Sequence, residues 1–77
     1  MKMASLRNNI HLHYDAEGDL LELCIGKPTI AFMKELGDDV FERIDEKTGK
    51  VKGFVILNFK KRLEKSKSID IPLPSDM

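Results

Sequence analysis

The chain has 77 residues, about half of the roughly 150 that one domain commonly takes, so one small domain or an obligate piece of an assembly is expected and two-domain architectures are excluded. Hydrophobic residues make up 42% and charged residues 34%, with 13 basic against 13 acidic side chains; this composition excludes a charge-driven disordered chain and gives no overall attraction to polyanions. The single cysteine, Cys24, lies between Leu23 and Ile25, cannot close a disulfide within the chain, and reads as a small buried thiol that suits a reducing cytoplasm.

The opening Met1 to Asn9 carries Lys2 and Arg7 among scattered polar residues, with no apolar run of signal-peptide length, and is expected to be a loosely ordered N-terminus. No segment approaches the roughly 18 apolar residues of a membrane span, so a cytoplasmic protein without membrane contacts is expected. Ile10-His11-Leu12-His13-Tyr14 alternates apolar and polar residues, the period of a strand with one buried face. Asp15 to Asp19 gathers polar turn formers around Gly18, and Leu20 to Ile25 follows as the second arm of a hairpin. Gly26-Lys27-Pro28 breaks that strand, because proline lacks the ladder donor, and Thr29 to Met33 resumes β character.

Leu36 to Asp39 predicts a reversal, after which Val40 to Asp45 reads as a strand with Val40, Glu42 and Ile44 on one face. In Asp45-Glu46-Lys47-Thr48-Gly49-Lys50 the glycine stands where a type I turn with a bulge needs a left-handed residue, so Val40 to Asp45 should pair antiparallel with Val51 to Leu57. That last strand puts Val51, Val55 and Leu57 on one face and Phe54 and Ile56 on the other, so both faces need cover. Asn58 is placed to cap a short helix from about Phe59 to Ser66, in which Phe59 and Leu63 are side by side and Lys60 and Lys61 oppose the helix dipole. Ile69 to Pro74 alternates again, but its two prolines limit it to an extended tail or an edge strand.

Two sets of residues carry a family resemblance: Tyr14-Asp15-x-Glu17-x-Asp19-x-Leu21-x-Leu23 at the first hairpin, and Asp45-Glu46-x-x-Gly49-Lys50-Val51-x-Gly53-Phe54-x-Ile56-Leu57 at the second. Over Tyr14 to Leu57 the chain resembles the small prokaryotic family catalogued as domain of unknown function 2283. The resemblance implies a small antiparallel sheet followed by a short helical or extended segment. It implies no substrate, cofactor or catalytic residue.

His11, His13 and Asp15 project from one strand face and are suitable metal-ligand types, but a closed site needs a fourth ligand and a solvated polar face accounts for them. Asp15, Glu17 and Asp19 around Gly18 lack the length and terminal glutamate of a calcium loop and read as turn residues. Cys24 has no activating base in its strand, and no serine nucleophile elbow, phosphate loop or metalloprotease helix is present; no catalytic residue, cofactor or metal is assigned. Charge is nonetheless segregated: Lys34 to Glu46 sums to −4, with two basic and six acidic residues, and Lys47 to Lys67 to +7, with eight basic and one acidic. Lys60, Lys61, Arg62, Lys65 and Lys67 could meet nucleic-acid phosphates, although no stacking aromatic series accompanies them, and the favoured reading is a solvated helix face or pairing with the acidic run of a second subunit.

The expected fold is therefore α+β: a small antiparallel β-meander sheet with a short C-terminal helix and an extended tail. A lone small sheet with one helix struggles to cover two apolar faces, so a homodimer is expected with Phe54, Ile56, Phe59 and Leu63 in its interface. The leading functional reading is a non-enzymatic dimeric interaction or structural module with an unidentified protein partner. The alternative is a small antitoxin-like regulator that binds a protein and, through the basic segment, nucleic acid.

Overall fold

A computed structural model describes residues 9–27 and 29–73, so the expectation for the N-terminus falls almost wholly outside the described residues, as does the last part of the tail. Five strands, β1 (Ile10–Asp15), β2 (Leu20–Ile25), β3 (Ala31–Gly37), β4 (Val40–Asp45) and β5 (Val51–Leu57), precede one helix, α1 (Phe59–Ser66). All neighbouring strands are antiparallel, which gives the expected α+β class. The strand order is β1-β2-β5-β4-β3, so neighbours follow chain order within β1–β2 and within β3–β4–β5, but the join between these units departs from a simple meander. From the end of β2 the chain crosses to the far edge, and β5 returns to lie beside β2, a Greek-key arrangement.

Physical reasons for this order are visible at β5. Val51 to Leu57 is the strand with apolar residues on both faces, and such a strand gains most by lying in the middle of the sheet. Phe54, Val55 and Ile56 are each only 3% exposed. Gly53 permits the close approach of β2: a Cβ at that position would be driven into the Leu23 carbonyl oxygen and would lie 3.1 Å from Cys24 Cα. Next to it the β4–β5 register shifts, with Arg43 opposite Gly53 and Ile44 opposite Val51, so Lys52 is the extra residue of a bulge. The bulge interrupts the alternation at Val51, which faces Ile44 instead of continuing the Val55 and Leu57 row.

The turns differ in how closely they follow local expectation. Gly49 takes φ +75° and its N–H donates to the Asp45 carbonyl at 2.9 Å, as a left-handed residue closing the β4–β5 loop should. The β3–β4 reversal is tighter than expected: β3 runs on to Gly37, and Asp38 and Asp39, both left-handed at φ 52° and 64°, form the two-residue turn alone. Positive φ at both central residues is the type I′ form, whose twist matches that of the paired strands. The tail from Ser68 to Leu73 forms no strand, although Ile69 and Ile71 are half-buried.

Side chains of directly opposed residues share a face of the sheet. On the front face this gathers Ile10, Leu12 and Tyr14 of β1; Leu21, Leu23 and Ile25 of β2; Phe54 and Ile56 of β5; Val40 and Glu42 of β4; and Phe32 and Lys34 of β3. The back face carries His11, His13, Glu22, Cys24, Val55, Phe41, Arg43, Met33 and Glu35. Across it Arg43 and Glu22 reach over the bare Gly53 from the strands on either side, to 4.0 Å.

Candidate functional site

The β1–β2 turn, the β3–β4 turn and the exit of β5 lie at one end of the sheet, where α1 begins. Asp19 organises that end. Its carboxylate accepts the Tyr14 hydroxyl at 2.8 Å and the backbone N–H groups of Lys60 at 2.7 Å and Lys61 at 3.3 Å, and its carbonyl accepts the Phe59 N–H at 3.0 Å. These are donors that a helix leaves without partners in its first turn. Asn58 was expected to satisfy them; instead its side chain makes no cap bond, its backbone is left-handed at φ 55°, and its Nδ2 donates to Asp39 at 3.2 Å. The positive φ explains the exchange, because a side-chain cap needs an extended residue at that position.

Asp19 also supplies the negative charge that Lys60 and Lys61 deny the helix N-terminus. The Lys60 N–H, helped by the Tyr14 hydroxyl, holds the Asp19 carboxyl below its ordinary range, and the same hydrogen bond to Asp19 raises the Tyr14 hydroxyl above its ordinary 10.0. The Tyr14 ring lies 6.0 Å from that of Phe59, centroid to centroid, so α1 starts against the front face beside β1. Further along, Arg62 Nη1 donates to the Asp38 carbonyl, tying the helix to the second turn.

Between α1 and the β3–β4 turn opens a cleft of about 580 Å³, lined by Asp38, Asp39, Asn58, Lys61, Arg62, Lys65 and Ser66. It brings part of the basic segment beside the acidic turn of the same chain, whereas the sequence suggested a solvated helix face or pairing with the acidic run of a second subunit. Arg62 is held by the neutral Asp38 carbonyl and keeps its charge, but the Asp38 and Asp39 carboxylates share the cleft with Lys61, Arg62 and Lys65, so it presents less positive charge than the sequence run suggests. Lys60, Lys61, Lys65 and Lys67 remain exposed.

His11, His13 and Asp15 do lie on one face of β1, opposite Cys24, Glu22 and Leu20. They do not converge on a common point, since Asp15 Oδ1 turns to the Glu17 and Gly18 N–H groups at 3.1 and 3.4 Å as a turn residue. Among the described residues no group of three or more His, Cys, Asp or Glu is gathered to hold a metal ion. Cys24 is half-buried on the back face.

The four residues expected in an interface are divided by the structure. Phe54 and Ile56 lie on the front face but are already buried within the chain, while Phe59 and Leu63 of α1 are half-buried. Exposed apolar surface on the front face comes from strands farther out: Ile10 is 64% exposed, Leu12 60%, Tyr14 41% and Phe32 50%. Sequence reasoning missed these because it had no strand order with which to tell an edge from a centre. No family model, curated protein or solved structure matches the chain. No helix among the described residues is long and apolar enough to cross a membrane.

Proposed function

We propose that the protein is a non-enzymatic interaction module that works as a homodimer through the front face of its sheet, and that it belongs with the domain of unknown function 2283 proteins that its two hairpins resemble. The observation that carries this reading is the exposed apolar trio Ile10, Leu12 and Tyr14 on the front face of β1, continuous with the half-buried Leu21 and Leu23 of β2. Large apolar side chains left in water in a contiguous patch are the usual mark of an association surface. Within this reading Ile10, Leu12 and Tyr14 supply the area newly buried, Phe59 borders it beside Tyr14 with Leu63 one helical turn on, and Phe54 and Ile56 support it from within the chain.

Support for the antitoxin-like regulator is weaker. The cleft places Asp38 and Asp39 beside Lys61 and Lys65, and carboxylates there repel a continuing phosphate backbone. Light scattering coupled to size exclusion at low and high salt, with absorbance recorded for copurified nucleic acid, tests both. A dimer that persists at high salt and carries no nucleic acid is expected. A monomer removes the dimeric module, and a nucleic-acid-laden species that dissociates in salt moves the function to the basic segment.

A further inference from the structure

The two edges of the sheet are treated differently by the sequence. On β3 the outer edge is guarded by the charged, exposed Lys34 and Glu35 and by a register break between Glu35 and Gly37, devices that discourage strand addition. The β1 edge has none of these: Ile10 to Tyr14 contains no proline, no lysine and no bulge, pairs with β2 in unbroken register, and is exposed throughout. We infer that β1 is the dimerisation edge, and that it pairs antiparallel with β1 of a second copy of this chain about a two-fold axis at Leu12.

Backbone parity gives the register. The Gly26 N–H donates to the Asn9 carbonyl at 2.8 Å, which extends the β1–β2 register by one pair beyond Ile10 opposite Ile25. Hydrogen-bonded and non-hydrogen-bonded pairs alternate in an antiparallel ladder, so Asn9, His11, His13 and Asp15 turn their backbone groups toward β2. Ile10, Leu12 and Tyr14 therefore aim their N–H and C=O groups outward. With the axis at Leu12, each of these outward groups meets its complement: Leu12 with its own copy, and Ile10 with Tyr14 of the second chain.

The side chains point to a second copy as the occupant of this edge. Ile10-His11-Leu12-His13-Tyr14 reads nearly the same in both directions, so antiparallel self-pairing sets apolar beside apolar on the front face and His11 beside His13 on the back. The result is one continuous sheet whose front row runs unbroken across the axis, and an isologous contact of this kind closes on itself without building a filament. This inference rests on the dimeric reading above but places the contact at the β1 edge of the front face, so that Ile10, Leu12 and Tyr14 meet across the axis while Phe54 and Ile56, two strands in, lie behind it.

The parity supplies the test. Leu12→Pro deletes an N–H that points away from β2, so the chain should fold as before, judged by circular dichroism, while its dimer is lost in light scattering. Independently, in a Cys24→Ser background, His11→Cys and His13→Cys chains are prepared separately and mixed under mild oxidation. Those two positions form a non-hydrogen-bonded pair across the axis, with Cα atoms roughly 4.5 Å apart, inside the range a disulfide accepts. Covalent dimer is expected in the mixture and little in either variant alone. A wild-type chain that stays monomeric overturns the dimeric reading and this inference with it. A dimeric wild type whose Leu12→Pro variant folds and still dimerises, or whose cysteine mixture fails to crosslink, overturns the edge pairing and leaves a dimer formed by other parts of the front face. Should Leu12→Pro fail to fold, the crosslinking result decides.

Discussion

Strands β1 and β5 carry comparable apolar side chains on the same face and meet opposite fates. Phe54 and Ile56 of β5 are 3% exposed, whereas Ile10 and Leu12 of β1 are 64% and 60% exposed. Hydrophobicity does not separate the two strands; their place in the order does, since β5 has a neighbour on each side and β1 has one. Burial in this small sheet is thus concentrated in β5 and the adjoining β4, and among the described residues the β1 edge keeps large apolar area in water.

The sharpest way to break the contrast is at Gly53, where β5 meets β2. Gly53→Ala forces a methyl against the backbone of Leu23 and Cys24, which cannot rotate aside as a side chain would. A loss on the order of 3 kcal/mol is expected, a large fraction of the roughly 4 to 11 kcal/mol available to a domain of this length. Urea denaturation checks it, and an unchanged midpoint would mean that β2 and β5 are farther apart than described.

Next come Ile56→Ala and Leu12→Ala, which delete similar side chains from the same face. Ile56→Ala should cost about 2 to 4 kcal/mol, because it leaves a cavity in the centre of the sheet. Leu12→Ala should change the stability of the dilute monomer by less than about 0.5 kcal/mol, as surface substitutions do. The same Leu12→Ala chain should show a weakened concentration dependence of its melting temperature, since a dimer gains stability by mass action. Equal effects of the two substitutions in dilute solution would erase the distinction between centre and edge.

Much of this fold is legible in the sequence, and the part that is not has a single cause. The β4–β5 loop could be read because its determinants are local: Gly49 closes the turn, and Asp45 accepts the Thr48 N–H at 2.9 Å and its hydroxyl at 2.7 Å, three residues away. The cap of α1 could not, because Asp19 is 41 residues from Lys60 in sequence, and no local pattern pairs a turn aspartate with a distant helix. Strand order has the same character. Alternation within β1 and β5 gives their faces but not their neighbours, so the sequence pointed to Phe54 and Ile56 without showing that Ile10, Leu12, Tyr14 and Phe32 are the exposed apolar members of that face.

Asp19 ties the β1 side of the sheet to the helix that leaves β5, so its titration reports on both. Its carboxyl is held below the ordinary range in the folded protein, chiefly by the Lys60 N–H, and Asp45 is held low by the Thr48 hydroxyl and N–H and by Thr29. A depressed folded value means that the unfolded chain binds protons more readily. The stabilisation is therefore complete above the ordinary carboxyl range and is lost as pH falls through it toward the folded values. Tyr14 has the opposite sign of shift, so its contribution is present below pH 10.0 and fades as pH rises past that point. Asp19→Asn should flatten both limbs of a plot of melting temperature against pH, and Tyr14→Phe only the alkaline one together with a smaller part of the acid one. Retention of the full acid limb in Asp19→Asn would assign it to Asp45 alone.

A small effect of opposite sign is expected where the helix ends. Lys67 closes α1 in a left-handed conformation at φ 65°, its N–H donating to the Leu63 carbonyl at 2.9 Å, in the position where helices most often place glycine. A side chain with a Cβ is disfavoured there, while glycine adopts the same backbone without steric cost but gives up more freedom on folding. The two terms oppose each other, so Lys67→Gly should raise stability by no more than about 1 kcal/mol, visible as a slightly higher melting temperature. Because Lys67 is exposed at the end of α1 opposite the one that begins beside Tyr14, the gain should be the same in the Leu12→Pro background as in the wild type, once both are compared as monomers. A gain that differed between them would couple the end of α1 to β1 within the single chain.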